Sequence, residues 1–111
     1  MEPGARGVVV SRERLLHLTA EQLRAVGWAT VVNARGKAAG VRLSGVGRLG
    51  LGLEDGDVVT SINGRLTPTE DEATAAGAAA WMSGAPTARA DVARGDRIVA
   101  VTLELPMRGR E

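Results

Sequence analysis

A chain of 111 residues with 44% hydrophobic content suits one domain with a single core and is too short for two. Its 14 Lys and Arg against 13 Asp and Glu leave a net charge of +1 without a basic run, so nucleic acid is not expected as a partner. With no cysteine and a single histidine, disulfides, thiolate metal sites and histidine clusters are excluded, no cofactor is expected, and no apolar run approaches the ~20 residues of a membrane span.

In chain order, residues 1–7 carry Pro3, Gly4 and Gly7 and read as a flexible leader without the basic-then-apolar order of a signal peptide. Residues 8–27 form a helical preface. Val8 to Val10 fits a short strand or the start of the helical region. Ser11 is placed to cap a helix over 12–18, and Thr19-Ala20-Glu21-Gln22 has capping-box spacing for a second over 20–26. The pair would bury Leu15, Leu16, Leu18, Leu23 and Val26, and Gly27 ends it.

Trp28 to Asn33 then reads as a strand, Ala34-Arg35-Gly36-Lys37 as a turn, and Ala39 to Ser44 as the returning strand. After a glycine-rich loop, the β-branched block Val58 to Ile62 lies between the turns Asp55-Gly56 and Asn63-Gly64. Thr69 with Glu70, Asp71 and Glu72 repeats the capping pattern and starts a helix over 70–82, which Gly77 weakens. Arg89 to Arg94 and Arg97 to Leu105 alternate with period two about the Gly95-Asp96 turn, a half-buried hairpin with Ala90 and Val92 on one face of the first strand and Val99, Val101, Leu103 and Leu105 on one face of the second. Residues 107–111 read as a flexible tail. This order predicts an α+β fold.

Most candidates for chemistry have a structural explanation. Gly45-Val46-Gly47-Arg48-Leu49-Gly50 has dinucleotide-loop spacing, but that loop must open a long helix, and here Gly52, Gly56 and a strand at Val58 follow. It reads instead as a compact loop in which Leu49, Leu51 and Leu53 point inward. Glu54, Asp55 and Asp57 lack the further oxygens a calcium loop needs and read as turn formers. His17 has Ser11, Ser44, Ser61 and Ser83 in the chain but no nucleophile-elbow pattern, and Arg94-Gly95-Asp96 is explained by its hairpin turn. No convergent acid, base, nucleophile or metal set is present, so no enzyme activity is expected. One feature admits a binding role. Ala73, Ala76, Gly77 and Ala80 share a helix face, which either makes a shallow groove beside an open strand edge or lets the helix approach the sheet closely.

Gly40-Val41-Arg42-Leu43, the run from Leu51 through Glu54-Asp55-Gly56-Asp57-Val58-Val59 to Ile62-Asn63-Gly64, the helix and the closing Val92-Ala93-Arg94-Gly95 hairpin together resemble a bacterial PDZ domain. With the capped preface, Val31-Val32-Asn33 and the Gly36-Lys37 turn, the chain is similar to the C-terminal periplasmic domain of the inner-membrane coupling subunit of type II secretion systems. The resemblance implies a PDZ-like, partly open antiparallel β-barrel over 28–106, flanked by helices. Its peptide groove would lie between the strand Val41 to Leu43 and the helix face at Ala73, Ala76, Gly77 and Ala80. Gly40 would open the groove strand, and Lys37 or Arg42 would meet an acidic peptide end. A bulky residue at Ala76 would then block binding without unfolding. The resemblance further implies a non-catalytic scaffold in the periplasm, the soluble part of a membrane-anchored protein. Its partner would be the secretin, another secretion component or an exported substrate. A regulatory PDZ domain of a periplasmic serine protease is the alternative; the helical preface favours the first.

Overall fold

The computed structural model describes residues 7–105. The expected leader, apart from Gly7, and the expected tail lie outside the described residues. Strands β1 (Gly7–Val10), β2 (Gly27–Val32), β3 (Ala38–Ser44), β4 (Val58–Ile62), β5 (Arg65–Leu66), β6 (Thr87–Arg94) and β7 (Arg97–Glu104) join helices α1 (Arg12–Leu16), α2 (Ala20–Arg24) and α3 (Glu70–Met82).

The strands form one seven-stranded sheet in the order β1-β7-β6-β4-β3-β2, with β5 attached to β4. The α+β expectation holds, but the sheet is mixed. Gly7, read as leader, opens β1, and Val8-Val9-Val10 pairs in parallel with Val101-Thr102-Leu103 of β7. The two ends of the order, β1 and β2, are not paired with each other, so the sheet is not a closed barrel. β6 and β7 meet around Gly95-Asp96 in the register Arg94↔Arg97, which follows from the period-two pattern on both sides of the turn.

Inward residues of these strands make the core. Val10, Ala90, Val92, Val99 and Val101 are buried together with Leu49 and Leu51 of the glycine loop, and Leu53 packs against them. In that loop Gly47–Leu49 is a single 3₁₀ turn rather than a long helix. The preface helices are capped as expected: Ser11 accepts from the Arg14 N–H, and Thr19 and Gln22 close a full capping box. They are shorter than their caps suggested, and their burial differs too. Leu15, Leu18 and Val26 reach the core, whereas Leu16 and Leu23 remain 64% and 55% exposed. A five-residue helix presents only one stripe to a neighbour, and Leu16 stands about 100° around the axis from Leu15.

The acidic loop before β4 is an internal clamp. Asp55 Oδ1 accepts the N–H groups of Val46 and Gly47 at 2.9 and 2.8 Å. Asp57, only 1% exposed, accepts from Arg94 Nε and Nη2 at 2.9 and 2.8 Å and from the Glu54 N–H at 2.9 Å. Arg94 Nη2 also donates to the Gly52 carbonyl at 3.0 Å. Burial pushes the Asp57 carboxyl up, but the Arg94 hydrogen bonds, the Glu54 N–H and the Arg94 charge outweigh it and hold the group below its ordinary value. Asp55 is also held low, first by the Gly47 N–H.

These directions set the acid limb of stability. The unfolded chain binds protons at these two sites at a higher pH than the folded chain does, so their stabilisation is complete above the ordinary carboxylate pKa of 3.8. It is lost as the pH falls through the lower folded values. Thermal melts are expected to stay level near neutrality and to drop below about pH 4. Asp55→Asn, which keeps an acceptor oxygen but cannot titrate, should make that drop shallower; an unchanged acid limb would contradict the role given to Asp55.

Candidate functional site

The site is built around β3. Its register with β2 runs Trp28↔Leu43, Ala29↔Arg42 and Thr30↔Val41, and on the other side Val41 and Arg42 face Val59 and Val58 of β4. Leu43 donates to the Asp57 carbonyl at 2.8 Å and accepts from the Gly56 N–H at 2.8 Å, and Gly40 donates to the Pro68 carbonyl at 3.1 Å. The main chain from Val41 to Leu43 is therefore used on both sides. An added strand cannot pair there, which corrects the placement of the groove strand.

The sheet margin on the side of the cleft is β2. Main-chain groups alternate in direction along an antiparallel strand. Thr30 shows which set points away from β3, because its N–H reaches the Glu70 side chain at 3.1 Å. Two residues earlier, the N–H and carbonyl of Trp28 take the same outward direction.

Between this margin and α3 lies an apolar cleft of about 400 Å³. Val41, Leu43, Val59 and Ile62 form its floor, Ala73, Thr74, Gly77 and Ala78 its helix wall, and Trp28 its rim. Of the residues expected from the sequence, the cleft brings together Val41, Leu43, Ala73 and Gly77. Ala76 and Ala80 are buried and do not line it. A bulky side chain at Ala76 would overpack the interior, at about 1–3 kcal/mol, so that substitution is not the clean block expected. Arg42 is exposed and does not line the cleft, and Lys37 sits in the exposed hairpin turn, where Asn33 Oδ1 accepts its N–H at 3.1 Å. Gly40 is buried with φ +148, and a Cβ on it would come within 2.6 Å of Val58 Cγ1 and 2.8 Å of the Val59 carbonyl oxygen. This close approach between β3 and β4 is a packing requirement.

Trp28, Thr74 and Ala78 were not legible as site residues. In an alanine-rich helix the pattern of apolar positions barely distinguishes one face from the next, and Thr74, Gly77 and Ala78 form a stripe adjacent to Ala73, Ala76 and Ala80. A signal was present in Gly77, a mid-helix glycine. Of the described glycines it alone combines an ordinary φ with nothing within 4 Å of an added Cβ, so neither backbone conformation nor packing calls for it.

The other candidates are dispersed. His17 Nδ1 lies 2.8 Å from the Glu13 carbonyl oxygen on the surface, Ser61 Oγ donates to Asp91 Oδ2 at 3.0 Å, and Ser83 Oγ donates to the Ala80 carbonyl at 2.7 Å. Among the described residues no group of three or more His, Cys, Asp or Glu is arranged to hold a metal ion, and no helix is long and apolar enough to cross a membrane. No protein-family model matches this sequence, and no curated protein matches it either.

Proposed function

We propose that this chain is a non-catalytic peptide-interaction module that accepts an extended segment of a partner protein as an additional strand on β2. Main-chain groups of Trp28 and Thr30 would hold the segment, and its side chains would enter the cleft against α3. One observation carries the reading: an edge strand with outward main-chain groups runs along an apolar cleft whose floor is the next two strands of the same sheet, β3 and β4. Gly77 supports it. A glycine there weakens α3 by roughly 1 kcal/mol relative to alanine, and its effect is to keep the cleft wall low. On the PDZ-like residues, the proposal extends to a scaffold role in a type II secretion apparatus. The module would sit in the periplasm and face a secretin, another secretion component or an exported substrate.

The test is to fill the cleft without disturbing the core. Gly77→Leu adds a side chain where nothing lies within 4 Å of the new Cβ. It should raise stability by about 0.5–1 kcal/mol through helix propensity while weakening peptide binding at least about tenfold. Short peptides selected from a displayed random library, titrated while amide shifts are followed, provide the readout. Undiminished binding to Gly77→Leu, or shifts that never reach Trp28, Thr30 and Ala78, would sink the proposal.

A further inference from the structure

As folded, the β2 margin is already partly occupied by the chain's own Glu70. The Thr30 N–H donates to Glu70 Oε2 at 3.1 Å, the Thr30 hydroxyl lies 3.5 Å from the same oxygen, and the Glu70 N–H returns a 3.1 Å bond to Thr30 Oγ1. The carboxylate is a charge-assisted acceptor for that N–H. It also stands where a carbonyl of an incoming strand would have to lie, because an antiparallel neighbour reaches β2 through the same outward donor.

The two halves of this contact differ in what holds them. Thr30 Oγ1 meets a backbone N–H in the first turn of α3 and anchors the helix start to β2. Glu70 Oε2 belongs to an exposed residue with rotatable bonds, so its side chain can swing into water without moving the helix.

We infer that Glu70 is a latch on the peptide site: it satisfies the Thr30 donor in the free molecule and must be displaced before a strand can pair along β2. The inference rests on the proposed role of β2 and the cleft. Ligand binding then includes an exchange of one acceptor for another at Thr30, and the free module resists pairing with any exposed strand it meets.

Glu70→Ala removes the latch and leaves the 30-to-70 backbone cap in place, while Glu70→Gln keeps a neutral acceptor. Peptides are selected from a displayed random library in parallel on wild type and Glu70→Ala. They are then titrated against all three proteins, following the Thr30 amide. Glu70→Ala should bind about fivefold more tightly than wild type, with Glu70→Gln between them, and its free form should exchange the Thr30 amide hydrogen faster. Equal affinities across the three, or weaker binding by Glu70→Ala, overturn the latch and leave the cleft as a binding site. Peptides that bind none of the three, or that bind without shifting Trp28, Thr30 and Ala78, overturn both readings.

Discussion

Arg94→Ala is expected to destabilise the domain by about 3 kcal/mol or more, because it leaves a carboxylate buried without its cation. Asp57 is 1% exposed and receives two charge-assisted bonds from Arg94 at 2.9 and 2.8 Å; truncation removes both and also frees the Gly52 carbonyl. The contact between Arg94 and Glu54 at 3.3 Å adds little, since Glu54 is largely in water. For a domain of this size the loss corresponds to a fall in Tm of roughly 10–20 °C. The effect should reach the cleft. Asp57 and Gly56 supply the main-chain bonds that hold Leu43, so loosening the clamp loosens the cleft floor. The double variant Asp57→Asn with Arg94→Met, which leaves no charge buried alone, should recover part of the loss. Thermal melts of the two variants decide it: an Arg94→Ala protein that melts within a few degrees of wild type would refute the buried ion pair.

Gly40→Ala is the second large effect and acts through the backbone. At φ +148 an alanine is strained by about 1–3 kcal/mol, and its Cβ would also meet Val58 Cγ1 at 2.6 Å and the Val59 carbonyl at 2.8 Å. Relief requires β3 and β4 to separate where Val41 pairs with Val59, and both residues line the cleft floor. Stability and peptide binding should therefore fall together. Gly36→Ala is the control: its φ is +77 but nothing lies within 4 Å of the added Cβ, so it should cost only about 1–2 kcal/mol and leave binding intact. If the Gly40 and Gly36 variants lose the same stability, the close strand approach is not the constraint at Gly40.

Together with Gly77→Leu, these substitutions separate three meanings of glycine in one chain. Gly40 permits a close approach, Gly36 permits a left-handed turn, and Gly77 leaves room beside a cleft. Only the last should be replaceable with a gain in stability.

Much of the secondary structure was legible in the chain, and the sites of agreement are local. α3 spans Glu70–Met82 as expected because Thr69 Oγ1 takes the Glu72 N–H at 3.2 Å and the turn at Gly84 ends it. The Thr19 capping box, the Asn33 to Lys37 turn and the Gly95-Asp96 hairpin are likewise closed by hydrogen bonds or register within a few residues. Side chains such as Val41, Leu43, Ala73 and Gly77 could be assigned to one region, because strand and helix periodicities each mark a face.

Neighbour relations were settled by the tertiary structure. Nothing in Gly7-Val8-Val9-Val10 states that it lies parallel to β7, more than ninety residues away, and nothing in Gly40-Val41-Arg42-Leu43 states that β4 covers one flank while β2 covers the other. The Asp57 to Arg94 pair spans 37 residues, and the Thr30 to Glu70 contact spans 40. Caps and tight turns satisfy their donors and acceptors within one or two turns of chain, so residue order is enough to determine them. Which strand is left at the margin, and which acceptor its free N–H finds, depends on how distant segments compete for the same hydrogen bonds, and only the assembled sheet resolves that competition.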